Sequence, residues 1–122
     1  MDTLSPTERQ ALERFARALK HLRNMMGKNV SSQVLQAYLT VALEEGKSIN
    51  EYATMLGASP TTASRHIMDL SDKRRSKLDG FRLLYRRDNP LDERMKVVTL
   101  SQHGKLMRQL VLETLSGASG PI

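Results

Sequence analysis

The chain has 122 residues, the length of one domain, and its 29 Leu, Ile, Val and Phe set it above the composition of a disordered chain. With no cysteine and no apolar run longer than three, disulfides, thiolate metal sites and a membrane-spanning segment are excluded, and a reducing cytoplasm fits. Nineteen Lys and Arg against 13 Asp and Glu leave a net charge of +6, which points to a polyanionic partner.

The N-terminus, Met1-Asp2-Thr3-Leu4-Ser5-Pro6, lacks the basic-then-apolar pattern of a secretory signal. Ser5-Pro6-Thr7-Glu8 predicts a helix start, with a capping hydroxyl, proline in the first turn and Glu at the capping-box position. Leu12, Phe15, Leu19, Leu22 and Met26 then form one apolar stripe, opposite Arg9, Arg17, Lys20 and Arg23, and Gly27 should stop the helix. A second helix is expected from Ser31 or Ser32, with Leu35, Tyr38, Leu39 and Ala42 on its inner side and Glu44-Glu45-Gly46 as the stop. After a very short extended link at Ser48-Ile49, Asn50 is expected to cap a short helix from Glu51 to Leu56, ended by Gly57. Ser59-Pro60 opens another helix, in which Ala63, Ile67 and Leu70 form the inner stripe.

The window Lys73 to Arg87 follows. Its seven bases against Asp79 hold the whole excess charge of the chain. That window is either a positive surface for a polyanion or a solvated basic loop. Past Gly80 the period changes, and 82–87 and 95–100 read as strands separated by the polar segment 88–94. Ser101 caps a last helix, with Leu106, Leu110 and Leu115 expected to face inward and Met107 and Val111 beside them. The small residues after Leu115 read as a frayed end.

Helix, helix, helix–turn–helix, β-hairpin, helix is the order of a winged helix–turn–helix with flanking helices. On a helical wheel, Thr61 and Arg65 point directly away from the inner stripe, with Thr62 flanking them and Ser64 to one side. Short hydroxyls near a helix start and one arginine suit a helix that enters the major groove. The hydroxyls reach phosphates and base edges, and the arginine can pair with guanine. Ser59 and Thr62 are also simply good caps.

The stretch from about Ser48 to Gly104 resembles the multiple-antibiotic-resistance regulator (MarR) family of winged-helix transcription factors. The matching residues are Ile49-Asn50-Glu51-Tyr52-Ala53, Leu56-Gly57-Ala58-Ser59 leading into Thr61-Thr62-Ala63-Ser64-Arg65, and the wing Leu83 to Arg94. The segment continues through Val97, Val98 and Leu100-Ser101-Gln102-His103-Gly104, similar to the family's Leu-Thr-x-x-Gly. The resemblance implies a homodimeric regulator of double-stranded DNA, with the helix after Ser59 in the major groove and the wing in the minor groove. By position the wing-tip arginine is Arg94, and Asp92 is the carboxylate that braces it. Three departures stand out. Glu93 replaces a frequent second arginine, several extra residues separate Leu70 from Leu83, and the helix after the wing is short.

The fold class expected is mainly α with a small β-hairpin wing. A single domain over 1–122 would comprise a dimerisation helix in 1–30, the winged helix–turn–helix in 31–100, a helix in 101–115 and a flexible tail in 116–122. The DNA-binding set is Ser59, Thr61, Thr62, Ser64, Arg65, Lys73, Arg74, Arg75, Lys77, Arg86, Arg87 and Arg94. Leu12, Phe15, Leu19 and Leu22 with Leu106, Leu110 and Leu115 are either core or an intersubunit bundle, because a wing domain of about 60 residues can close without both terminal helices.

Nothing in the sequence is built for catalysis. His21, His66 and His103 are scattered without metal-ligand spacing, and Glu44 and Glu45 read as a polar helix end. Ser64 and Ser101 lack a nucleophile-elbow context, and no glycine-rich loop is placed to hold a nucleotide. No cofactor is expected, and the five aromatics do not outline an effector pocket. The leading expectation is a dimeric repressor. The alternatives are a DNA-organising or replication/partition accessory protein and a protein-interaction module on the same scaffold.

Overall fold

The computed structural model of the chain describes residues 3–27, 29–71, 80–89 and 91–117, with the backbone alone for 89 and 92–95. Five helices and one hairpin are ordered α1 (Pro6–Met26), α2 (Ser32–Leu43), α3 (Ile49–Leu56), α4 (Pro60–Leu70), β1 (Leu84–Asn89), β2 (Asp92–Leu100) and α5 (Gln102–Ser116). They fall into two compact units, Val30–Lys105 and Met1–Asn29 with Leu106–Ile122.

In the Val30–Lys105 unit, α2, α3 and α4 pack on one another and the hairpin docks against all three. Tyr38, Tyr52, Ile67, Leu70, Leu83, Leu84, Val98 and Leu100 are fully buried there. Burying a Leu or Ile side chain stabilises by about 1.5–3 kcal/mol, so each aliphatic member of this set is a substantial part of the apolar driving force.

Local sequence explains the helix ends. The Ser48 hydroxyl accepts from Glu51 N at 3.2 Å, and the Glu51 carboxylate accepts from Ser48 N at 3.2 Å, a reciprocal capping box. Ser48, not Asn50, therefore caps α3. The carboxylate that completes the box lies three residues after Ser48, and Asn50 falls within the first turn. Those bonds also hold the Glu51 carboxyl below its ordinary value.

The side of α2 also differs from expectation. Val34, Leu35, Ala37, Tyr38 and Val41 are buried, Ala42 is half-buried and Leu39 is exposed. The helix ends at Leu43, where Glu44 turns extended, two residues before Gly46. The extended link is a single antiparallel bridge between Lys47 and Val98, not at Ser48-Ile49.

The hairpin is longer than expected. β1 runs on through Asp88 and Asn89, and β2 begins at Asp92, so the expected polar loop is mostly strand. Leu84 pairs with Leu100 and Asp88 with Lys96, and the register shifts between Asp88 and Asn89. The Lys96 ammonium and Asp88 carboxylate form a cross-strand ion pair, which lets polar residues sit inside the ladder.

In the other unit, α1 carries the Ser5–Glu8 capping box and ends at Gly27, as its sequence predicts. Of the apolar stripe only Leu22 and Met26 are buried, with Ala18 beside them, while Leu12 and Phe15 are bare, at 58% and 63% exposure. Past its first turn, the buried residues of α5 are Met107, Val111 and Thr114. Leu106, Leu110 and Leu115 do not face inward: they are 59%, 36% and 42% exposed. Ser101 caps α5, accepting from Gly104 N at 3.0 Å. The helix includes Ser116, and 118–122 lie outside the described residues.

Candidate nucleic-acid interface

The helix–turn–helix consists of α3, a glycine turn and α4. Gly57 adopts φ 67°, a left-handed conformation that glycine takes without a Cβ penalty, and its N–H donates to the carbonyls of Ala53 and Thr54. The Ser59 hydroxyl then accepts from Thr62 N at 3.1 Å and starts α4. Ala63, Ile67 and Leu70, spaced for one face, are all fully buried. Thr61 and Arg65 consequently project from the opposite face into solvent, with Thr62, Ser64 and His66 half-buried on its flanks. No described residue pairs with the Arg65 guanidinium, which leaves its planar fork of donors unused.

The hairpin presents Arg86 and Arg87, both exposed, on β1. Leu91, at the turn, is 96% exposed. Arg94 and its expected brace Asp92 lie in β2, but their side chains fall outside the described residues, as do Lys73, Arg74, Arg75 and Lys77. The extra residues before the wing do not detach it from α4. The N–H groups of Phe81, Arg82 and Leu83 donate to the carbonyls of Asp69, Ser71 and Leu70 at 3.0, 2.9 and 2.8 Å. The chain thus leaves α4 at Ser71 and is bonded to it again by Phe81.

A second set of bonds roots the wing in the α2–α3 turn. Gly46 N donates to Val98 O at 2.8 Å, Val98 N to Lys47 O at 2.9 Å, and Leu100 N to Glu45 Oε1 at 2.8 Å. The fully buried Tyr52 lies at their centre. Its hydroxyl bonds to Glu44 O at 2.5 Å and Val98 O at 3.3 Å as acceptors, and receives Lys47 N at 3.2 Å. Burial pushes the phenol above its ordinary value, with the Glu45, Glu51 and Glu44 charges adding to the shift and the Lys47 N–H opposing it.

Sequence reasoning placed Tyr52 in the family match but gave it no role. The usable signal was a tyrosine on the inner side of a short helix, because a buried phenol needs a partner.

Tyr52→Phe keeps the ring and removes the rivet. It should lower stability by about 1–3 kcal/mol, since three backbone groups lose a partner. The raised phenol value fixes the sign of the pH effect. Its contribution is fully present below the ordinary tyrosine value of 10.0 and is lost as pH rises through the higher folded value. Denaturation from neutral to strongly alkaline pH should therefore show a decline in the wild type that is reduced in the variant. Parallel declines would remove the phenol from the effect.

The expected intersubunit residues divide into two groups. Leu12, Phe15, Leu106, Leu110 and Leu115 are exposed and Leu19 is half-buried, whereas Leu22 is 3% exposed and buried within the chain.

No known family profile matches the chain, and no curated protein matches it. Solved structures do. The S. aureus MepR–DNA complex superposes with a TM-score of 0.67 at 15% identity, over 95% of this chain and 87% of that one. RV1404 from Mycobacterium tuberculosis gives 0.65 at 16% identity, over 93% of this chain and 69% of that one. The PcaV transcriptional regulator from Streptomyces coelicolor gives 0.54 at 15% identity, over 98% and 83%. A MarR family transcription regulator, SP03579, is also among the matches. The chain has the winged-helix fold of these MarR-type regulators, with five helices and a two-stranded wing among the described residues.

Proposed function

We propose that this protein is a sequence-specific regulator of transcription that binds double-stranded DNA as a homodimer and acts as a repressor in the cytoplasm, without catalytic activity. The observation that carries the reading is the outer face of α4. Thr61 and Arg65, which has no partner among the described residues, stand on the solvent side of a helix whose other side is locked by three fully buried residues. The segment that leads into the wing, Phe81 to Leu83, is hydrogen-bonded to the end of that same helix. MepR and AbfR, which share the fold, have been solved on DNA. On this reading Ser59, Thr61, Thr62 and Ser64 serve phosphates and base edges, Arg65 reads a base, and Arg86, Arg87 and Arg94, braced by Asp92, serve the wing.

The test is a footprint on the DNA upstream of its own gene, followed by titration of Arg65→Ala. The variant should keep its fold and lose about 1–3 kcal/mol of specific affinity, with relaxed preference at one base pair of each half-site. Uniform loss on all sequences would reduce Arg65 to a phosphate contact.

Lys73, Arg74, Arg75 and Lys77 follow the far end of α4, where a helix crossing the major groove approaches a phosphate backbone. Neutralising all four should weaken operator and random duplex alike. Each lost phosphate contact should reduce the salt slope of log K by about 0.9. An unaltered slope in titrations at several salt concentrations would assign the cluster to protein contacts.

A further inference from the structure

A cleft of about 210 Å³ opens beside the outer face of α4. It is lined by Gln33 and Gln36 of α2, the Leu56-Gly57-Ala58 turn, and Thr62 and His66 of α4. Each of the four polar side chains carries a hydrogen-bond donor: two primary amides, a hydroxyl and an imidazole. Among the described residues, no carboxylate lines it. The 12-residue α2 has no charged residue, and on α3 the only one is Glu51, in the first turn. Beside His66 on α4 stand Arg65 and, three residues on, Asp69.

The donors are also unspent. Thr62 Oγ1 accepts from Ser59 Oγ at 3.0 Å, while Ser59 Oγ accepts from Thr62 N, so the Thr62 proton is left for another acceptor. Among the described residues, the side chains of Gln33, Gln36 and His66 have no partner either. These side chains can accept as well as donate, but with no acidic group lining the cleft among the described residues, their free donors suit an anion.

Thr62 and His66 lie one turn apart on a single flank of α4, next to the face that carries Thr61 and Arg65. When a helix lies in the major groove, its flanks run along the sugar–phosphate walls. We propose that this cleft receives one backbone phosphate of the bound duplex, held by Gln33, Gln36, Thr62 and His66. The assignment rests on the DNA-binding reading of α4. It adds a contact that neither the basic cluster nor the wing supplies, made chiefly by neutral groups. Such a contact fixes the register of α4 on the duplex and displaces few counterions.

The experiment scans the footprinted operator with single neutral methylphosphonate substitutions, for the wild type and for Gln33→Ala/Gln36→Ala. Both glutamines are exposed, so the double variant should fold normally by circular dichroism. On unmodified operator it should bind about tenfold more weakly, the order of one lost hydrogen bond, with an unchanged salt slope. One methylphosphonate position per half-site should weaken the wild type similarly and cost the variant clearly less, since only Thr62 and His66 then remain to hold that phosphate. Additive losses at every position would overturn the proposal while leaving DNA binding intact. Failure of the wild type to bind unmodified duplex would instead remove the DNA-binding reading itself. If inorganic phosphate shifts the glutamine amide resonances of the free protein and no methylphosphonate position couples, the cleft serves a free anion and the proposal is wrong.

Discussion

Gly104→Ala should destabilise the protein by about 3 kcal/mol or more, the upper end for forcing extra volume into a packed site. In most helices the same exchange stabilises by about 1 kcal/mol, so the expected sign is reversed. The reason is a backbone contact. A Cβ on Gly104 would sit 2.0 Å from the Leu83 carbonyl oxygen and 3.2 Å from the Leu100 Cβ. That oxygen cannot swing aside cheaply, because it accepts from Ser101 N at 2.9 Å, and Leu83 N is bonded to Leu70 O at 2.8 Å. Gly104 is held from the other side as well, since its carbonyl accepts from the buried Tyr38 hydroxyl at 2.7 Å. The first turn of α5, the entry to β1 and the end of α4 therefore meet at one point where only a hydrogen fits. Urea denaturation of the two proteins measures the difference. A midpoint equal to or above the wild type would show that the contact yields.

Leu12→Glu/Phe15→Glu should convert the proposed dimer into folded monomers. Both side chains are more than half exposed in the chain, so charges there disturb no core. In a twofold-symmetric dimer each substitution acts twice, and the lost burial amounts to about 6 kcal/mol in all. Sedimentation with circular dichroism separates dissociation from unfolding, and operator affinity should collapse with the dimer. A wild-type chain that sediments as a monomer at micromolar concentration would remove the assembly from the mechanism.

Local signals in the sequence located the helix–turn–helix well. Proline and serine at 59–60, glycine at 57 and the Ala63, Ile67 and Leu70 spacing act within a few residues of one another, and the α4 face follows from them. The phase of α2 was harder to read, because the helix carries no charge and its polar side is marked only by uncharged residues such as Gln33, Gln36 and Thr40. On α5, several apolar lines compete, and size favours the leucines. Tertiary packing selects Met107, Val111 and Thr114 instead. The strand ends were cut short because Asp88 and Asn89 read as loop, although cross-strand pairing accommodates them. The cleft was not legible at all. Gln33 and Gln36 come from one helix and Thr62 and His66 from another, and only the fold brings their donors together.

The long hydrogen bonds of Tyr38 and Tyr52 also set a timetable for synthesis. The Tyr38 hydroxyl finds its acceptor 66 residues later in the chain, and Tyr52 reaches one of its acceptors 46 residues later. A ribosome makes α2, α3 and α4 first, while Val98 and Gly104 do not yet exist. During that interval the α2–α3 turn has no strand to bond to, and Leu70 has no Leu83 N–H to cap its carbonyl. Helix α4 is therefore among the earlier parts translated but among the last to be secured, since loops this long must close before their contacts contribute. A nascent chain stalled before Val98 exposes apolar helix faces that the finished protein covers, and that is the form a chaperone would hold.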